Sequence, residues 1–211
     1  GTHAKGRAVR QAIVAAIPAS PMSSPQHTIA IQQVHNILLG AHHQGLASEP
    51  LLLRAGIAPA LLDSPLARIS QGQYAALIRV LRRRLRDEMW GLLSKPLPPG
   101  SFGRCMQQAV RCSTLGEALR SAFVHYHLLL DDFVPRLSVR QGLAQVQFVL
   151  RRPQEPRLDY GVKAFMLISF NAASWLVSRR IPLVGVSYTS GHGSVEISRV
   201  YQVPVDGDTP H

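Results

Sequence analysis

The periodicity of apolar residues changes once along this chain, and that change limits its fold more than any motif does. From Ile29 to Leu130 apolar side chains recur every three to four positions; from Phe133 onward they alternate with polar ones. A period near 3.6 buries one stripe of a helix, and a period of 2 buries one face of a strand. Helices followed by a hairpin exclude an all-helical bundle and a doubly wound parallel sheet. They point to an α+β domain: an N-terminal helical bundle packed on a small, mostly antiparallel sheet with one helix crossing it.

The helical part is punctuated by stop and start signals. Ile29 to about His42 reads as a first helix with Val34, Ile37, Leu38 and Ala41 inward. Leu46–Leu62 reads as short helical pieces broken at Pro50 and Pro59. Ser70-x-x-Gln73 is a capping box opening a helix expected to reach Leu93, with Tyr74, Leu77, Ile78, Leu81, Leu85 and Met89 on its core stripe. The prolines between Lys95 and Gly100 stop any helix. A helix over Ser101–Cys112 is expected to bury Phe102, Cys105, Met106 and Ala109, and Thr114-x-x-Glu117 caps another reaching Leu130.

Phe133–Arg140 and Leu143–Arg151 then read as strands joined by a tight turn at Gln141-Gly142. Asp159 is the expected cap of a helix over Tyr160–Ser178. A strand at Leu183–Thr189, a helical turn near Val195–Val200 and a strand at Tyr201–Val205 complete the pattern. Residues 1–27, rich in Ala, Ser and Pro, are expected to be a flexible N-terminal extension, leaving 28–211 as one domain. The run Ala12–Ile17 has the flavour of a signal peptide, but it is short, closed by Pro18 and lacks a clear cleavage site. Met22 offers an alternative start, which would make residues 1–21 an upstream extension.

Composition narrows the function classes. With 46% apolar and 17% charged residues the chain has material for a core, and no apolar run approaches the roughly 20 residues that cross a bilayer. The formal charge of +11 raises a nucleic-acid reading, but only Arg79, Arg82, Arg83, Arg84 and Arg86 are clustered. Their simplest role is a solvated helix face whose aliphatic stems cover apolar surface. Cys105 and Cys112 lie seven apart on one expected helix, about 10 Å along its axis. That exceeds the roughly 7 Å a disulfide tolerates, so both read as buried thiols of a cytoplasmic protein.

Catalytic signatures are missing from the sequence. There is no G-x-S-x-G, H-E-x-x-H, Walker loop or dinucleotide fingerprint. His42-His43 and His125-x-His127 do not share a helix face, so neither pair chelates a metal from a helix. The acid pairs Asp87-Glu88 and Asp131-Asp132 point apart on a helix and serve its ends rather than acid–base chemistry. No enzyme activity, cofactor or metal is expected. A binding pocket is the better expectation: Phe102, Met106, Tyr126, Phe148, Phe165, Met166 and Tyr188 would line a seam between helices and sheet, with His125, Tyr126 and Gln147 supplying polar groups. The competing reading of the same residues is plain core packing.

Several motifs occur in an order that resembles the arabinose-binding-like N-terminal regulatory domain of AraC-type bacterial transcription regulators. They are the leucine-rich segment Leu51–Ser70, the D-E-x-x-G-L turn at Asp87, Glu88, Gly91 and Leu92, and the P-x-x-P-G-S-F-like junction Pro96–Phe102. T-L-G-E-A-L at Thr114–Leu119 follows, then W-L-x-x-R-x-I-P-L from Trp175 to Leu183. The resemblance covers about Ile29 to Val205. It implies a cytoplasmic, homodimeric module that senses a small-molecule effector and adjusts a DNA-binding domain, with DNA contacted only through that C-terminal domain and no membrane partner. No helix-turn-helix pair occurs in these 211 residues, which makes an excised domain or a truncated product the expectation. The apolar seam suits a hydrophobic or amphipathic effector better than a sugar. A haem- or gas-binding sensor, or another cofactor module, is the alternative, and a Soret band in purified protein would separate the two.

Overall fold

The computed structural model describes residues 10–14, 28–153, 155–188 and 205–207. The fold is α+β. Among the described residues six α-helices accompany a five-stranded sheet and a two-stranded one. The chain divides into two compact units, one holding 20–104 with 154–165, the other 1–19, 105–153 and 166–211.

The first unit is helical. Strand β2 (Thr28–Ala30) pairs antiparallel with β3 (Arg68–Ser70), and helix α1 (Ile31–His43) follows β2 directly. Val34, Ile37, Leu38 and Ala41 of α1 are fully buried, as their spacing requires. Helix α2 (Ser48–Arg54) is not broken by Pro50, because that residue lies in the first turn, where no intrahelical N–H is needed. A 3-10 turn over Pro59–Asp63 leads to β3. Ser70 opens helix α3 (Gln71–Leu85): its Oγ accepts from the Gln73 N–H at 3.1 Å, and Gln73 Oε1 accepts from the Ser70 N–H at 2.9 Å. The arginines Arg79, Arg82, Arg83, Arg84 and Arg86 are exposed.

Helix α3 stops at Arg86, in a left-handed conformation (φ 51°), well before the expected end at Leu93. The physical reason is Asp87. Its buried carboxylate accepts the N–H groups of Met89 (2.8 Å), Gly91 (2.7 Å) and Leu97 (2.7 Å), which gathers the chain into a compact turn. A helix would give those N–H groups carbonyl partners, so side chain and helix compete, and here the carboxylate wins. Glu88 completes the junction by accepting from the Gly100 N–H at 2.6 Å and the Phe102 N–H at 2.8 Å. These two acids meet a turn, not each other. Met89 is buried all the same, delivered by the turn and not by a helical stripe.

The second unit contains the sheet β4-β5-β1-β6-β7. Strands β4 (Phe133–Arg140) and β5 (Leu143–Leu150) form the expected hairpin, in register from Phe133 opposite Leu150 to Arg140 opposite Leu143. Gln141 (φ 50°) and Gly142 (φ 76°) both take the left-handed conformation that a two-residue primed turn demands. Strand β1 (Arg10–Val14) lies between β5 and β6 (Gly185–Tyr188), antiparallel to both. These five residues fall inside the segment expected to be a flexible extension. The β-branched run Ile13-Val14 suits a strand, and the open side of β5 supplies hydrogen-bond partners. Strand β7 (Val205–Gly207) runs parallel to β6, so the sheet is antiparallel at its other pairings. The helical turn expected at Val195–Val200 lies outside the described residues.

Helix α5 (Leu115–His127) packs on this sheet through Phe123, whose ring meets Phe148 edge-on at 6.5 Å; Phe133 meets Phe148 at 6.0 Å. Helix α4 (Ser101–Ala109) contributes Ser101–Arg104 to the first unit and the remainder to the second. Helix α6 (Pro156–Leu176) likewise contributes residues up to Phe165 to one and those from Met166 to the other. It begins with Pro156, earlier than expected; Asp159 is inside its first turn and pairs with Lys163 at 2.7 Å instead of capping it. Because α4 ends at Ala109, Cys112 is off the helix and half-buried, while Cys105 is buried.

Candidate functional site

The expected pocket residues fall into two groups. Phe102 and Phe165 belong to the helical unit, the former partly exposed and the latter buried. Met106, His125, Tyr126, Gln147, Phe148 and Met166 belong to the sheet-bearing unit, and Tyr188 lies at the end of β6. Phe148 and Met166 are wholly buried and Tyr126 nearly so. His125 and Tyr126 stand ring edge to ring face at 5.3 Å. The Nε2 of His125 is buried without a hydrogen-bond partner among the described residues. Tyr126 also hydrogen-bonds the Cys105 thiol, whose pKa burial raises and the tyrosine partly lowers.

An open cleft of about 800 Å³ lies elsewhere in the same unit, between the α4–α5 junction and the C-terminal turns of α6. Two helix junctions shape it. On one side the last turn of α4 tightens, with the Arg111 N–H bonded to Gln108 O and the Cys112 N–H to Ala109 O. Thr114 then caps α5: its Oγ1 accepts from the Glu117 N–H at 3.2 Å, and Glu117 Oε2 accepts from the Ser113 N–H at 3.1 Å. On the other side α6 ends in a Schellman motif. Ser178 is left-handed (φ 53°), the Arg179 N–H reaches Ser174 O at 3.1 Å, and the Ser178 N–H reaches Trp175 O at 3.0 Å. The Ser174 hydroxyl accepts the Ile181 N–H at 3.3 Å, which steers the chain away from the helix axis.

Residues three and four apart on α6, Phe170, Asn171, Ser174 and Trp175, therefore share the cleft wall, and Ser178 of the following turn joins them. Ala109, Leu115 and Ala118 face them from α4 and α5. Trp175 is 65% exposed, a large apolar surface left in solvent, while Phe170 is buried. Arg179 and Arg180 close one end, with the Arg180 guanidinium 5.7 Å from the Phe170 ring centroid. None of the described lining residues is among those expected to form a pocket. A signal available in the sequence is the tryptophan at 175, which falls outside the expected inward set of its helix and is followed within five residues by two arginines.

Chemically, the cleft offers aromatic surface, hydroxyl and amide groups, and cations. Among the described residues its lining includes no Asp or Glu, and hence no carboxylate to serve as acid or base. Among the described residues no three or more His, Cys, Asp or Glu side chains converge as a metal site would require. No helix among them is long and apolar enough to cross a membrane. No curated protein and no solved structure matches the chain. The family model for the N-terminal arabinose-binding domain of AraC transcription regulators matches residues 45–211, which takes in the Asp87 turn, both capped helices and the whole α6 wall of the cleft. The chain belongs to that family of regulatory domains.

Proposed function

We propose that this domain senses a small metabolite and, as a homodimer in the cytoplasm, sets the activity of a DNA-binding domain in the same regulator. The family match carries this reading. The cleft beside Trp175 supports a binding role over a catalytic one, because among the described residues it presents recognition groups and no carboxylate. The family's name does not make arabinose the effector: a sugar is held by carboxylates and amides, and the amide here is that of Asn171.

The test is a thermal-shift screen of metabolites on the purified domain. An effector present at 100 times its Kd stabilises by about 2.7 kcal/mol, which moves the midpoint by several degrees. Trp175→Ala is expected to remove the shift for the effector found, while the unliganded midpoint stays within about 1 °C, since the indole is mostly solvated. A second reading places the effector among Met106, His125, Tyr126, Gln147 and Phe148, supported by the buried, unpartnered Nε2 of His125. In that case His125→Leu abolishes the shift and Trp175→Ala leaves it intact.

A further inference from the structure

Helix α3 turns a row of arginines to solvent, directly opposite the side chains it buries. Arg79, Arg82 and Arg83 stand three and four apart, so they share one face, and Arg86 at the C-cap continues it. Leu77 and Leu81, the buried residues of α3, lie about half a turn away around the helix axis. Two ordinary explanations fit this row poorly. Stems that covered apolar surface would be half-buried, whereas all four arginines are exposed. Cations that complement a helix C-terminus act within its last turn. Arg82 and Arg83 qualify, but Arg79 lies more than a turn before the end at Leu85.

Nor is the row neutralised within the helical unit. Helix α3 itself carries no acid. Asp87 and Glu88 hold backbone N–H groups of the turn, Glu155 meets Arg157 at 3.6 Å, and Asp159 meets Lys163 at 2.7 Å. Glu49 and Asp63, the other acids of the unit, make no ion pair with these arginines among the described residues. Four guanidiniums on one face are thus left to solvent.

We infer that this face of α3 rests on the sugar–phosphate backbone of duplex DNA. At 1.5 Å per residue the row from Arg79 to Arg86 is roughly 10 Å long, and one strand of a duplex places a phosphate about every 3.4 Å of its axis, so about three phosphates lie within reach. A guanidinium fork matches phosphate oxygens in two-point geometry. Such contacts read no sequence; they add affinity and fix how the domain lies on the duplex. The choice of DNA over another polyanion rests on reading the chain as part of a DNA-bound regulator. The resemblance placed DNA contact in the C-terminal domain alone, and this face adds a second contact, made by the sensing domain.

The test is fluorescence anisotropy of labelled duplexes of about 20 base pairs and unrelated sequence, titrated with the intact 211-residue chain. At about 50 mM salt the chain should bind with a Kd on the order of micromolar, and log K should fall against log salt with a slope of about −3, roughly 0.9 per phosphate met. Arg79→Gln/Arg82→Gln/Arg83→Gln should weaken binding by at least about tenfold and reduce the slope by about two or more. Arg111→Gln/Arg120→Gln/Arg140→Gln, at exposed positions of the other unit, removes the same charge and should cost less than about threefold. Poly-glutamate and phosphatidylserine vesicles, added as competitors at equal charge, should displace the duplex poorly. No binding at low salt, equal losses in the two triple variants, a slope that the first variant leaves unchanged, or ready displacement by either competitor would each overturn the assignment. The duplexes carry no operator and the assay no effector, so failure here leaves effector sensing untouched. An unsuccessful metabolite screen would in turn leave a positive duplex result standing.

Discussion

At the scale of single residues, Asp87 does the most to shape this chain. Its carboxylate is inaccessible to solvent and holds three backbone N–H groups, those of Met89, Gly91 and Leu97. Asp87→Ala should cost about 3 kcal/mol or more, because each orphaned buried donor carries its own desolvation penalty. Asp87→Asn, which keeps one acceptor oxygen, should cost visibly less. Urea midpoints check the order, and equal losses would show that the turn does not depend on the carboxylate. Cys105 is the second case. Burial raises its thiol pKa above the ordinary value of 9.0, with the Tyr126 hydrogen bond opposing. Cys112 is half-buried and should react first with a thiol reagent at pH 8, Cys105 following only as the fold opens. The sign of the linkage follows: with the folded pKa raised, the unfolded thiol ionises first. The contribution of Cys105 to stability is complete below the unfolded value and declines as pH rises toward the folded one. Cys105→Ala should flatten that alkaline decline in denaturation curves between pH 8 and 10.

At the scale of elements, the contacts that matter are backbone contacts. Helix α1 meets the Asp87 turn at Gly40, where an added Cβ would sit 2.0 Å from Trp90 O and 2.7 Å from Gly91 C. Neither atom belongs to a side chain that can step aside. Gly40→Ala should therefore cost more than about 3 kcal/mol or prevent folding, despite alanine's higher helix propensity. Gly103 in α4 is the control: nothing lies within 4 Å of its added Cβ, and Gly103→Ala should stabilise by about 0.5–1 kcal/mol. If thermal midpoints ranked these two alike, the close approach of α1 and the turn would be wrong. Arg157 ties α6 to the same turn by donating from Nη1 to the carbonyls of Gly91, Leu92 and Leu93 at 3.1, 2.9 and 2.9 Å. The D-E-x-x-G-L motif is thus a structural junction: acid, glycine and carbonyls each have a mechanical task there.

At the scale of the whole molecule, the family assignment leads to an expectation about assembly. Sedimentation at high micromolar concentration should show a dimer, and a monomer across that range would contradict homodimeric sensing. Much of the architecture was legible beforehand. The Ser70 and Thr114 caps, the Gln141-Gly142 turn and the hairpin register follow from local rules, in which a hydroxyl three residues before a Gln or Glu, or a glycine between alternating runs, has few alternatives. Where local rules compete, the sequence is a poorer guide. Residues 87–93 have a helical apolar pattern, yet a buried carboxylate pulls them into a turn. Arg10–Val14 is too short to announce itself as a strand without the partners β5 and β6.

The candidate site shows the same division more sharply. The sequence by itself determined the α+β class, the order of elements, the capped junctions and the family motifs, because these depend on neighbours a few residues away. It also marked Trp175 and Leu183 as part of a motif without saying what the indole does. Only the tertiary structure set Phe148 and Met166 in the core and left Trp175 in the open. Burial depends on what arrives from distant parts of the chain, and amphipathic spacing shows which face turns inward but not how completely it is covered. The cleft arises from two helix ends, at Ala109 and Leu176, brought together from positions far apart in sequence. No periodicity within either helix encodes that meeting.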